Sequence, residues 1–121
     1  MKNIQVTVYT KEHGCLDLTL EEYNNFDFDK VIYHRTDGPA VVYYYANGSI
    51  ESEHYFINNQ RHRIDYPALI YHYLDERSLR EYYYLDHKPY TKEDYYNLIN
   101  KMKALPKSLR LTHKEQWVRE L

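Results

Sequence analysis

The sequence predicts an α+β fold: an antiparallel sheet built from β-hairpin repeats, with C-terminal helices packing on it or capping it. Three observations predict this. His34-Arg35-Thr36-Asp37-Gly38-Pro39-Ala40 returns 28 residues later as His62-Arg63-Ile64-Asp65-Tyr66-Pro67-Ala68, and Tyr43, Tyr45, Glu53 and Tyr55 return as Tyr71, Tyr73, Glu81 and Tyr83. A fixed period of this size means stacked copies of one small supersecondary unit. Each motif is followed by a β-rich run, and after Tyr90 the pattern changes to a helical one.

The elements follow in chain order. Ile4, Val6 and Val8 alternate with Gln5, Thr7 and Tyr9, the period of a half-buried strand. Glu12-His13-Gly14 reads as a turn, and Leu16, Leu18 and Leu20 alternate again, so an N-terminal hairpin is expected. Thr19 and Glu22 have the spacing of a capping box, which predicts a short helix over 20–26. In each repeat the Asp-x-Pro segment is a turn, since Pro fixes φ and cannot donate to a ladder. Strands are expected over 40–45 and 68–73, with a return strand over 50–57 and a further turn at Asn58-Asn59. Asn47-Gly48 predicts a two-residue hairpin, because both residues tolerate positive φ. Asp75-Glu76 predicts a wider or bulged hairpin in the second copy, and Tyr66 in place of Gly38 weakens that turn if the site needs positive φ. Thr91 is the N-cap of a helix whose apolar stripe is Tyr95, Leu98, Ile99 and Met102, ended by Leu105-Pro106. Thr112 with Glu115 starts a last helix carrying Trp117, Val118 and Leu121. The chain therefore divides as 1–30, 31–90 and 91–121 within a single domain, the helices at 20–26 and after Thr91 serving as end caps.

Composition sets the limits of function. The chain has 121 residues, 43% hydrophobic and 17% aromatic, including 16 tyrosines, a composition that excludes disorder. Tyrosine buries a ring but keeps its hydroxyl near water or a partner, so a thin, half-wet sheet is expected. Cys15 is the lone cysteine, which excludes an internal disulfide and a Cys-based metal cluster; its place in an alternating strand predicts a core position. Residues 1–10 lack the pattern of a signal peptide, and no run approaches the roughly 20 apolar residues of a membrane span, so a cytoplasmic protein without membrane attachment is expected. The net charge of −2 is uneven: ten Lys and Arg face sixteen Asp and Glu in residues 1–100, and six face two in residues 101–121. The basic tail reads as a solvated helical face, too weak a footprint for extended nucleic acid.

The H-R-x-D-G-P-A turn, the Tyr-bearing strand, the N-G turn and the E-x-Y strand together resemble the MORN-like β-hairpin repeats of phage and giant-virus proteins. The resemblance covers roughly residues 33–90, and the second copy departs from it at Tyr66 and Asp75-Glu76. It implies a single-layer twisted antiparallel sheet and an accessory interaction protein of viral or mobile-element origin, one that disables a host factor such as a defence component by stoichiometric binding.

Candidate site residues are weighed against structural roles. His34 and His62 sit one repeat apart, which favours two equivalent turn-fixing hydrogen bonds over a metal site, and two ligands are too few for zinc. Arg35 with Asp37, and Arg63 with Asp65, read as local ion pairs or turn builders, with an arginine ladder for phosphate or carboxylate as the alternative. Tyr43, Tyr45, Tyr71 and Tyr73 fall on one face of regular strands, with Tyr44 and His72 on the other. The candidate binding residues are thus Arg35, Tyr43, Tyr45, Arg63, Tyr71 and Tyr73, because Tyr and Arg anchor interfaces. No nucleophile–base pair and no glycine-rich phosphate loop is visible, so no catalytic residue, metal or cofactor is expected. The expected function is non-catalytic binding of a protein partner. The alternatives are sequestration of a small signalling nucleotide and a membrane-associated MORN-type scaffold, and open sheet edges favour a homodimer.

Overall fold

The structure is a computed structural model that describes residues 2–75, 77–110, 117–118 and 121. Its frame is a seven-stranded antiparallel sheet in the order β2-β1-β3-β4-β7-β8-β9. The strands are β1 (Val6–Thr10), β2 (Gly14–Leu18), β3 (Val41–Tyr44), β4 (Ile50–His54), β7 (Leu69–His72), β8 (Leu79–Leu85) and β9 (Lys88–Tyr90). A small hairpin, β5 (Phe56–Ile57) with β6 (Gln60–Arg61), continues β4 beyond Tyr55. The helices are α1 (Leu20–Asn25), α2 (Lys92–Lys103) and α3 (Lys107–Arg110). α1 starts on a complete capping box between Thr19 and Glu22, and the Thr91 side chain accepts from the Asp94 amide to start α2. None of the described helices is long and apolar enough to cross a membrane.

The two expected repeats are the same unit twice. Asn58 N–H donates to His34 Nδ1 at 3.1 Å, and Asp86 N–H donates to His62 Nδ1 at 3.0 Å. Arg35 N–H donates to the Phe56 carbonyl and Arg63 N–H to that of Tyr84; Ala40 N–H donates to His54 and Ala68 N–H to Tyr82. Asn58-Asn59 and Asp86-His87 all take positive φ, which closes both turns in the twist that hairpins favour. The hydrogen bonds also uncover a third member. His34 N–H bonds the Tyr9 carbonyl as His62 N–H bonds that of Tyr55, so β1 is a return strand without its own His-Arg motif. Tyr9, Tyr55 and Tyr83 occupy one equivalent position.

Paired residues of adjacent strands share a face. One face, termed front, carries Val6, Val8, Val41, Tyr43, His54, Leu69, Tyr71 and Tyr82; the back carries Tyr9, Val42, Glu53, Ile70, His72 and Tyr83. At the β1 end, α1 and the loop after it cover the front, packing Tyr23, Phe28 and Tyr33 on buried Val6, Val8, Leu18 and Val41. At the β8 end, α2 covers the back: Tyr95 and Ile99 pack with Tyr83, Leu85, Trp117 and Val118. Each such fully buried large side chain stabilises by about 1.5–3 kcal/mol. The two caps thus sit on opposite faces, and the front stays open over β7 and β8.

Three expectations change. Cys15 is exposed, because β2 is an edge strand and Cys15 lies opposite Tyr9, away from the front core. The Asn47-Gly48 loop has three residues between Tyr45 and Ser49, not two, and only Gly48 takes positive φ, at 88°. The Asn47 side chain instead accepts from the Ser49 amide and hydroxyl. Gly38 has no positive φ; its need is space, since a Cβ there would meet Arg35 Cζ at 2.7 Å. In the second copy it is Asp65 that turns left-handed, at φ 69°. The longer loop of the second hairpin is closed by Asp75, which accepts from the Arg77 and Ser78 amides. Glu76 and the expected helix start at Thr112 lie outside the described residues.

Candidate functional site

Two surfaces gather the side chains singled out above. The first is a groove of about 720 Å³ on the back, walled by both repeat turns and lined by Arg35, Thr36, Asp37, Tyr55, His62 and Arg63 among others. The turns reach it because each arginine folds back onto a return-strand tyrosine: Arg35 Cζ lies 4.0 Å from the Tyr9 ring centre, and Arg63 Cζ lies 3.8 Å from that of Tyr55. Arg35 donates Nε to Asp37 at 2.8 Å and Nη1 to the Pro39 carbonyl at 3.2 Å. The bond from Arg35 holds the Asp37 carboxyl below its usual range. Burial pushes the Tyr55 hydroxyl upward. At the third equivalent position α2 replaces the arginine: Tyr95 and Tyr96 pack on Tyr83 at 4.8 and 5.5 Å, and burial pushes the Tyr83 hydroxyl up to about 12.

The second surface is a row of rings across the front. Tyr43, His54, Tyr71 and Tyr82 meet edge to face at 5.4, 6.3 and 6.0 Å, one ring from each of β3, β4, β7 and β8. Such pairs are favoured by the ring quadrupole. His54 is the buried hinge of this row. Its Nε2 faces the Ser52 hydroxyl at 3.0 Å and its Nδ1 faces Arg61 Nη1 at 2.9 Å. Burial, with the Arg61 charge second, lowers its pKa to about 4. The row then emerges into solvent: Tyr71 is 38% and Tyr82 40% exposed. Beside them a depression of about 280 Å³ is lined by Tyr45, Glu51, Tyr71, Tyr73, Arg80 and Tyr82 with His72. Glu51 reaches it because the register shifts opposite Tyr43 and Tyr44, and a bulge re-aims the extra residue.

No family model, no curated protein and no solved structure matches this chain.

The six expected site residues therefore divide. Arg35 and Arg63 meet in the back groove. Tyr45, Tyr71 and Tyr73 meet at the front depression. Tyr43 shares the front face but serves the core, its hydroxyl 3.0 Å from that of Tyr23 on α1, and desolvation raises its pKa strongly. His34 and His62 accept turn amides through Nδ1, and no group of three or more potential metal ligands occurs among the described residues. The Arg35–Asp37 pair forms, but Arg63–Asp65 does not: Asp65 binds Lys103 of α2 at 2.6 Å. Sequence reasoning missed Arg80 and Tyr82 at the front, and Tyr9, Tyr55 and Tyr66 as arginine platforms. The 28-residue offset that makes Tyr82 the equivalent of His54 was available as a signal; Tyr9 had none, since β1 lacks the motif.

Proposed function

We propose that the protein is a non-catalytic binding module whose open front face, over β7 and β8, engages a protein partner offering apolar and acidic side chains. The carrying observation is the pair Tyr71 and Tyr82, edge to face at 6.0 Å, both more than a third exposed and flanked by exposed Arg80. Rings held on adjacent sheet strands lose little entropy on binding, and Tyr and Arg are the residues that dominate interface energies. Arg80 supplies the complement for an acidic group. The resemblance of the repeats to MORN-like viral proteins extends this reading to a host factor, such as a defence component, disabled by stoichiometric capture.

The test is affinity capture from host lysate with the unaltered protein, a Tyr71→Ser/Tyr82→Ser variant and Arg80→Glu. A partner bound in stoichiometric amount by the first and lost from both variants, with melting temperatures preserved, supports the proposal. Undiminished capture of the same partner by both variants overturns the assignment of the surface. Substrate turnover abolished by His34 or His62 substitution overturns the non-catalytic reading.

A further inference from the structure

The back groove contains an arginine whose charge no carboxylate among the described residues matches. In the first turn Arg35 is matched by Asp37. In the second, Arg63 donates Nη1 to the Pro67 carbonyl at 3.2 Å, as Arg35 does to Pro39, but the left-handed Asp65 points its carboxylate to Lys103 instead. The guanidinium lies over Tyr55, its Cζ 3.8 Å from that ring centre and 4.7 Å from the Tyr66 ring centre. Its Nε and Nη2, the two donors of the side-on fork, have no hydrogen-bond partner among the described residues.

We propose that Arg63 is the anchor of an oxyanion site, and that the groove between the two turns takes a small ligand bearing a phosphate or carboxylate group. The fork matches both groups with two parallel hydrogen bonds. Stacking on Tyr55 and the bond to Pro67 hold the guanidinium in place beforehand, so less freedom is lost on binding. The volume of about 720 Å³ lies in the range of small-molecule sites. Asp37, the carboxylate of the same groove, is tied to Arg35 and is compensated there. Tyr66, 59% exposed, leaves aromatic surface beside the fork, and only the second copy has room for it, because the equivalent Gly38 abuts Arg35.

The experiment follows the arginine Nε–Hε resonances of the full chain by ¹H–¹⁵N NMR during titration with inorganic phosphate and, separately, acetate. The Arg63 signal is expected to shift saturably with at least one of them while that of Arg35 stays in place. The anion giving the tighter saturation identifies whether phosphate or carboxylate is the natural group. Arg63→Gln should remove the saturable response elsewhere in the groove. Thr36→Glu, an exposed substitution in the same groove, should weaken binding roughly tenfold by offering a competing carboxylate. Tyr71→Ser/Tyr82→Ser on the opposite face should leave the titration unchanged. An Arg63 signal that neither anion moves at millimolar concentration, or affinity unaltered by Thr36→Glu, overturns the proposal.

Discussion

The first repeat turn, residues 35–40, and the second, residues 63–68, share a backbone and differ in the use of their side chains. Both are sewn to the neighbouring return strand by the same amide bonds, and both present an arginine to a tyrosine ring. In the first, Asp37 closes on Arg35 over a glycine that must stay small. In the second, Tyr66 adds a ring to Arg63, and Asp65 leaves for Lys103 on α2. The hydrogen bonds that recur build the scaffold. The side chains that diverge change the charge balance: the first turn neutralises its own arginine, and the second has no carboxylate on its arginine among the described residues.

The largest expected effect comes from removing the cap that stands where a third turn would lie. Tyr95 is fully buried, packs on Tyr83 and donates its hydroxyl to the Arg63 carbonyl. Tyr95→Ala should cost about 3–5 kcal/mol in denaturant unfolding, as for other large buried rings. A loss below about 1 kcal/mol would show that α2 does not cap the repeat.

Next is the position held by Val8, His54 and Tyr82 in the three return strands. His54 has a folded pKa of about 4 against 6.5 for the free side chain, so the unfolded chain binds more protons between those values. The His54 contribution is therefore intact above about pH 6.5 and is lost progressively as pH falls towards 4, to a total of about 3 kcal/mol. Denaturation across this range should show the slope, and His54→Val should flatten it. An equal slope in the variant would assign it to other groups.

Smaller effects compare the turns directly. Gly38→Val should displace Arg35 from Tyr9 and Pro39 and cost about 1–2 kcal/mol in thermal unfolding. Tyr66→Gly removes one ring from Arg63 but leaves Tyr55, so about 0.5–1 kcal/mol is expected. A larger loss at Tyr66 than at Gly38 would reverse the roles assigned to the two turns.

Much of the frame was legible because it is local or periodic. The capping box at Thr19 and Glu22, the Thr91 cap, the α2 stripe and the 28-residue unit all appear as read from spacing. What escaped depends on neighbours distant in sequence. Tyr9 belongs to the repeat only through its bonds to His34 and Ala40. Cys15 is exposed because β2 is the sheet edge, a matter of strand order rather than of alternation. For the site, Tyr71 and Arg63 were legible as candidates. Their division between two faces was not, because it rests on which strand each turn folds over, and the Lys103 that draws Asp65 away lies 38 residues further on.

The central claim is that the recurring histidines build turns and do so identically. Asn58 and Asp86 amides donate to Nδ1 of His34 and His62, which leaves the ring proton on Nε2 in both. Long-range ¹H–¹⁵N correlation spectra of the imidazole rings test this most directly. Both histidines are expected as the Nε2–H tautomer with Nδ1 as hydrogen-bond acceptor; a proton on Nδ1 of either ring, or different tautomers in the two copies, would contradict it.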